Sequence, residues 1–334
     1  MDALKGKKIL LVALGGYSNG IIEKMKDMGA QVDYINDKPN DGIICKSFGR
    51  LKFKPYMKVI DNYYIKKIES LKNNKYDYIL VIRGEYTTKK ALVQMRKTYP
   101  NAKLILYMWD SLRNNKGIEK LWKYYDKVYT FDRIDYLDNK EKIQFLPLYY
   151  YEDILPKSQS QEIKYDVAFI GTGHEDRVKI VNSVAEQCRK EGLRVFFYIF
   201  LPHKMVFLYN KILNSSNYKG VSGKQINYKM LPFKTAYEIY GSSKCIMDIE
   251  SSTQCGLTMR TIEMIGLRKK LITTNKDIIN YDFYHPNNIM VVDRSNFIID
   301  KEFFDKPYVE LESDIYKKYS LNGWIKNVLE CEEK

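Results

Sequence analysis

At 334 residues the chain is longer than one ordinary hydrophobic core supports, so two domains of about 150 residues each are expected. Hydrophobic residues make up 45% and mean hydropathy is -0.43, enough apolar material for real cores, while no apolar run of about 18 residues offers a bilayer-spanning segment. A formal charge of +14 points to anionic partners, whether nucleic acid, acidic membrane surface or phosphate-bearing ligand, although lysine spread along a whole chain gives the same balance with no function attached.

The opening run "KKILLVALGG" reads as a strand that ends in glycines. "SNGIIEKMKDMG" follows as a helix with Ser18 or Asn19 as cap and Gly29 as stop, and "AQVDYIND" as a second strand, which completes a βαβ unit. The cycle repeats in "YDYILVIRGE" (strand), "TTKKALVQMRKTYP" (helix), "NAKLILYMWD" (strand), "GIEKLWKYY" (helix) and "DKVYTFD" (strand). Around "PLYYYEDILPKSQSQEIK" the periodicity gives way to linker chemistry. It restarts with "YDVAFIGTG" (strand), "HEDRVKIVNSVAEQCRKEG" (helix), "LRVFFYIF" (strand), "FKTAYEIYGSS" (helix), "KCIMDIE" (strand), "GLTMRTIEMIG" (helix), "KKLITTN" and "NIMVVD" (strands). Such alternation predicts an α/β protein of two doubly wound, Rossmann-like domains, residues 1–155 and 156–315. Residues 316–334, in "DIYKKYSLNGWIKNVLE" and beyond, form a helix or helix pair expected to pack back on either domain.

The five cysteines, Cys45, Cys188, Cys245, Cys255 and Cys331, form no CxxC pair and no cysteine–histidine metal spacing, which fits a reduced cytosol. The N-terminal lysines and strand lack the pattern of a signal peptide, so a cytoplasmic location is expected.

Because open parallel sheets bind ligands beyond the carboxyl ends of their strands, the loops after strands carry the candidate chemistry. In "FIGTGHEDR", Gly171, Thr172 and Gly173 are positioned to offer backbone N–H groups to a phosphate, with His174 and Arg177 as side-chain donors. The same glycines also suit a plain tight turn. In "GLTMRTIEMIG", Gly256 lets a ligand approach the backbone, Leu257, Ile262 and Ile265 supply a buried stripe, and Thr258 lies in the first turn. Arg260 and Glu263 share one face. They are either a surface ion pair or a grip on a diphosphate by Arg260 and on vicinal ribose hydroxyls by Glu263.

Those stretches, with "SSTQCGLTMRTIEMIGLRKKLITTN", "YMWDS", "FDRIDYL…IQFLPLYY" and "DVAFIGTGHEDR", resemble the bacterial lipopolysaccharide and capsular polysaccharide glycosyltransferases of the two-Rossmann GT-B architecture. The resemblance implies a C-terminal domain that holds a nucleotide-diphosphate sugar, an N-terminal domain that holds a glycan or lipid-linked acceptor, and reaction in the cleft that they face. It makes Glu263 the ribose ligand and Thr258 and Arg260 the diphosphate contacts, with Gly171 and Thr172 facing the same group. Retaining members often carry a second glutamate upstream, where this chain has "CGLTMRTI" with Cys255, so the stereochemical course stays open. Glu250 and Asp248 are near but out of that spacing.

Inversion requires a general base on the acceptor side. Asp110 in "YMWDS" is the first candidate and Glu85 in "IRGEYTT" the second, against the alternative that a strand-end aspartate caps the next helix. "LGGYSNG" lacks the spacing of a dinucleotide site, so Gly15, Gly16 and Tyr17 are read as shaping the acceptor side. No DxD pair suggests a metal, and the resemblance implies a leaving diphosphate neutralised by helix dipoles and basic side chains, with no cofactor beyond the nucleotide-sugar substrate. "KSFGRLKFKPYMKVIDNYYIKK" and "PHKMVFLYNKIL" mix bases with aromatics, either to rest on the anionic inner face of the cell membrane or as solvated faces that cover core residues. No RNP or KH module accompanies them, so no specific nucleic acid is expected. Two alternatives remain: a nucleotide-sugar epimerase or polyol-phosphate transferase of the same fold, and a non-enzymatic basic nucleotide- or nucleic-acid-binding protein.

Overall fold

Strands rich in Ile, Leu and Val that read as nearly continuous apolar runs must be covered on both faces, which parallel sheets flanked by helices achieve. The computed structural model describes residues 3–39, 53–152, 162–251 and 255–331. The chain divides into two units, Met1–Pro147 with Leu321–Lys334, and Leu148–Ser320.

The first unit runs β1 (Lys8–Ala13), α1 (Gly15–Asp27), β2 (Gln31–Asn36), α2 (Lys54–Ser70), β3 (Tyr78–Ile82), α3 (Lys89–Thr98), β4 (Lys103–Met108), a 3-10 helix (Ile118–Tyr124), β5 (Lys127–Thr130), α4 (Arg133–Asp138) and β6 (Gln144–Phe145). Its strands pair in parallel in the order β2-β1-β3-β4-β5-β6. The second unit runs β7 (Tyr165–Thr172), α5 (Arg177–Lys190), β8 (Val195–Phe200), α6 (Lys204–Leu213), β9 (Ile226–Asn227), α7 (Phe233–Gly241), β10 (Ser243–Asp248), α8 (Met259–Leu267), β11 (Lys270–Thr273), β12 (Ile289–Val291), α9 (Glu302–Asp305) and α10 (Ser313–Lys318). Its parallel order is β12-β11-β10-β7-β8-β9. Strand order therefore reverses between β1 and β3 in one sheet and between β7 and β10 in the other, and crevices for ligands open at such switch points.

Two local expectations are corrected, and a third stretch takes one of the two forms expected of it. Helix α1 begins at Gly15, so Ser18 lies inside it and donates its hydroxyl to the Gly15 carbonyl (3.1 Å) instead of capping it. "IEKLWKY" winds as a 3-10 helix after Gly117, whose φ of 85° ends the preceding loop. The second half of the first base-and-aromatic stretch forms α2, which buries Ile60, Tyr64 and Ile68 at intervals of four, while residues 46–52 of that stretch, like Cys45, fall outside the described residues.

The C-terminal segment is a helix pair, α10 and α11 (Leu321–Leu329). Helix α11 belongs to the first unit, where buried Trp324 packs edge-on against Tyr107 with ring centroids 4.8 Å apart. Glu330 just beyond it pairs with Lys103 and, at 2.6 Å, with Lys127. Among the described residues no helix is long and apolar enough to cross a membrane.

Candidate nucleotide site and acceptor-side carboxylates

At the switch point of the second sheet, β7 delivers Gly171 and Thr172, and β10 delivers Asp248 and the segment leading to α8. Glycine is required after β7 by packing and not by a left-handed turn. A Cβ on Gly171 would lie 2.8 Å from Phe169 Cζ and 3.3 Å from Arg260 Nη2, and one on Gly173 would lie 2.9 Å from both Ile199 and Val178.

Helix α8 is built on Asp248, which is fully buried. Thr258 caps the helix, its Oγ1 accepting from the Thr261 amide (3.2 Å) while donating to Asp248 Oδ2 (2.7 Å). Thr261 donates to the same oxygen at 2.7 Å, and Arg260 Nη1 pairs with Asp248 Oδ1 at 2.8 Å. Arg260 also donates to the Ile170 carbonyl, reaches the Tyr240 hydroxyl at 3.4 Å and lies over the Phe169 ring. Arg260 therefore joins the end of β7 to the end of β10, and neither it nor Glu263 forms the surface ion pair weighed for them. Leu257, Ile262 and Ile265 are buried, as is Gly256. Burial pushes the Glu263 carboxyl above the ordinary carboxylate range, and the Tyr237 hydroxyl and Arg260 pull it partly back.

Arg177 opens α5 at the end of the glycine loop and donates to the Thr172 carbonyl at 3.4 Å. Among the described residues it pairs with no carboxylate, and its buried Nε has no hydrogen-bond partner. Burial, then the neighbouring Arg260, lowers its affinity for its proton. Burial and then Arg177 push the His174 imidazole below its usual range, which keeps it neutral at pH 7.

Arg294, beyond β12, was not singled out in the sequence although it too follows a strand. Its Nε and Nη2 grip both Asp176 oxygens at 2.9 and 2.6 Å, and Nη1 donates to the Glu250 carbonyl at 2.8 Å. Glu175 and the Glu250 side chain each lie 3.4 Å from it. This one guanidinium fixes the loops after β7, β10 and β12 to each other. Burial raises the Glu250 carboxyl, against a hydrogen bond from Thr274.

In the first unit the carboxylates Glu85 and Asp110 converge on one residue absent from the sequence reading, Arg83. Its Nη2 lies 2.9 Å from Glu85 and its Nε 2.7 Å from Asp110, so Asp110 is held by an ion pair in place of the helix cap considered for it. Arg83 and Gly84 have φ of 74° and 66°, two successive left-handed residues of a kind that cluster at functional loops. Glu85 lines a hollow of about 570 Å³ together with Gly84, Thr87, Lys89, Asn115 and Ile118, and Asp110 is not among its walls. Gly15, Gly16 and Tyr17 form the first turn of α1, on the other side of the β1–β3 switch point from the Arg83 loop. Fully buried Asp37, at the end of β2, accepts from the Tyr64 hydroxyl at 2.7 Å, and its Oδ2 has no partner among the described residues.

No family model matches the chain, and no curated protein does. Solved structures do. HepE from Anabaena, in complex with UDP and glucose, superposes with a TM-score of 0.62 at 11% identity over 97% of this chain and 98% of that one. A glycosyltransferase from Rickettsia africae gives 0.58 at 12% identity over 97% of both chains. The lipopolysaccharide outer core galactosyltransferase WaaB gives 0.55 at 13% identity, with 96% of this chain and 99% of that one covered. The chain thus has the fold of the GT-B enzymes, two Rossmann-like doubly wound units. At these identities the likeness defines the architecture, and the chemistry has to be argued from the side chains.

Proposed function

We propose that the protein is a GT-B glycosyltransferase that moves a sugar from a nucleotide-diphosphate donor to a glycan or lipid-linked acceptor in bacterial surface polysaccharide synthesis, at the cytoplasmic face of the cell membrane. The observation that carries this reading is Arg177: a part-buried guanidinium without a carboxylate partner among the described residues, beside the Gly171–Gly173 loop and the capped N-terminus of α8, at a switch point of a parallel sheet. An anion is what such a group lacks. In this reading Arg177 receives the diphosphate beside the Gly171–Gly173 loop, whose Gly173 amide is held by the Phe200 carbonyl (2.9 Å). Arg260 and Thr258 contribute by fixing Asp248 and the start of α8, and Glu263 takes the ribose hydroxyls. The leaving diphosphate is neutralised by these groups without a metal. Asp110 or Glu85 accepts the proton of the attacking hydroxyl, with Arg83 holding both in place.

The test is turnover of nucleotide sugars with and without glycan acceptors. Release of nucleoside diphosphate only when an acceptor is supplied, reduced about 100-fold or more in Asp110→Asn or Glu85→Gln, is the expected result. Conversion of the sugar with no acceptor present would replace transfer by epimerisation, an activity named for one solved structure of the same fold, a UDP-N-acetylglucosamine 2-epimerase (TM-score 0.53, 10% identity).

A further inference from the structure

Helix α6 is turned inside out relative to the other helices of its unit. Phe207 is its one buried side chain, set against Tyr218, while Met205, Leu208, Tyr209, Ile212 and Leu213 are between 51% and 76% exposed. At spacings of i, i+3, i+4 and i+7, the first four form a continuous apolar stripe opposite Phe207, far more than the scattered single hydrophobes of an ordinary surface. Strands β8 and β9 pair in parallel, so the connections that leave them emerge side by side at the carboxyl edge of the sheet. One leads into α6, whose first turn carries Met205, and the other carries Met230 and Phe233, themselves 76% and 51% exposed. That edge also bears the glycine loop after β7.

The segment that carries the stripe has charge of one sign. Between Val195 and Glu238 the sequence holds six basic residues (Lys204, Lys211, Lys219, Lys224, Lys229 and Lys234) and no acid, in a chain with 41 acidic residues. Convex aliphatic side chains with a tyrosine among them, bordered by lysines and free of acids, fit the boundary of headgroups and acyl chains. Each lysine near an anionic leaflet adds to the attraction. We propose that α6 and the adjoining Met230–Phe233 connection dock the second unit on an anionic lipid bilayer. This names a surface for the membrane-side acceptor proposed above and rests on that reading for its purpose, but its test reads lipid binding alone.

The full chain is sedimented with phosphatidylcholine vesicles, with and without phosphatidylglycerol. Binding only to the anionic vesicles, weakening as salt rises, and lowered about tenfold or more in the double variant Leu208→Ser, Ile212→Ser is expected. Both positions are exposed, so the variant should keep its melting temperature and its stabilisation by nucleotide. No binding by the native chain, equal binding by the variant, or self-association that the variant abolishes while lipid binding stays absent would overturn the proposal, the last in favour of a contact between copies. Lipid binding without any nucleotide stabilisation would leave the surface standing and remove the donor reading. Nucleotide stabilisation without lipid binding would do the reverse.

Discussion

Arg83 shows how a strand-end arginine can organise a site that its neighbours only suggest. Asp110 and Glu85 are visible in the sequence as carboxylates after strands. Their common partner is not, because the left-handed backbone at Arg83 and Gly84 that aims the guanidinium leaves no mark at a non-glycine position. Asp37 is hidden for a similar reason: its burial depends on Tyr64 and Thr87, distant in sequence. Burial pushes its pKa up from 3.8 to about 6, against the Tyr64 hydrogen bond and the Arg83 charge. A raised carboxyl pKa means that the folded state binds the proton more tightly. Its contribution to stability is therefore fully present below pH 3.8 and lost as pH rises to about 6. Asp37→Asn is expected to flatten the pH dependence of the urea midpoint across that window by on the order of 1–3 kcal/mol, with a pH-independent offset from the buried amide. An unchanged slope would show that Asp37 is not the titrating group.

Among the elements, alternating strands and helices were legible because burial on both faces writes long apolar runs into parallel strands. Less legible was α2, whose lysines and tyrosines mask the spacing of Ile60, Tyr64 and Ile68. Gly171 and Gly173 stood out as glycines, but the Phe169, Ile199 and Val178 atoms that exclude a side chain come from packing between elements. Thr258 and Arg260 were read for a ligand, whereas Asp248, the internal partner of both, could be recognised only once β10 and α8 were set against each other. The C-terminal helix was legible as a helix, but not the unit on which it packs. Since Trp324 is only 1% exposed, Trp324→Ala is expected to cost about 3–5 kcal/mol in the first unit, seen as a lowered urea midpoint. A cost below about 1 kcal/mol would mean that α11 is peripheral to that core.

For the molecule as a whole, part of the +14 charge falls in two places. Arg177, Arg260 and Arg294 gather at one switch point, and the acid-free segment that holds α6 carries six further basic residues, Lys204 to Lys234. The GT-B architecture supplies the frame, and the nucleotide site is the central claim. It is tested most directly by the thermal stability of the native chain, Arg177→Ala and Glu263→Ala against UDP, GDP, CDP, CMP and dTDP. A ligand held only by the folded state at about 100 times its Kd adds about 2.7 kcal/mol. One nucleotide is expected to raise the native melting temperature by several degrees, with most of the shift lost in both variants while their unliganded melting remains cooperative. No shift with any nucleotide, or the same shift in both variants, would contradict a donor site at the end of the second sheet.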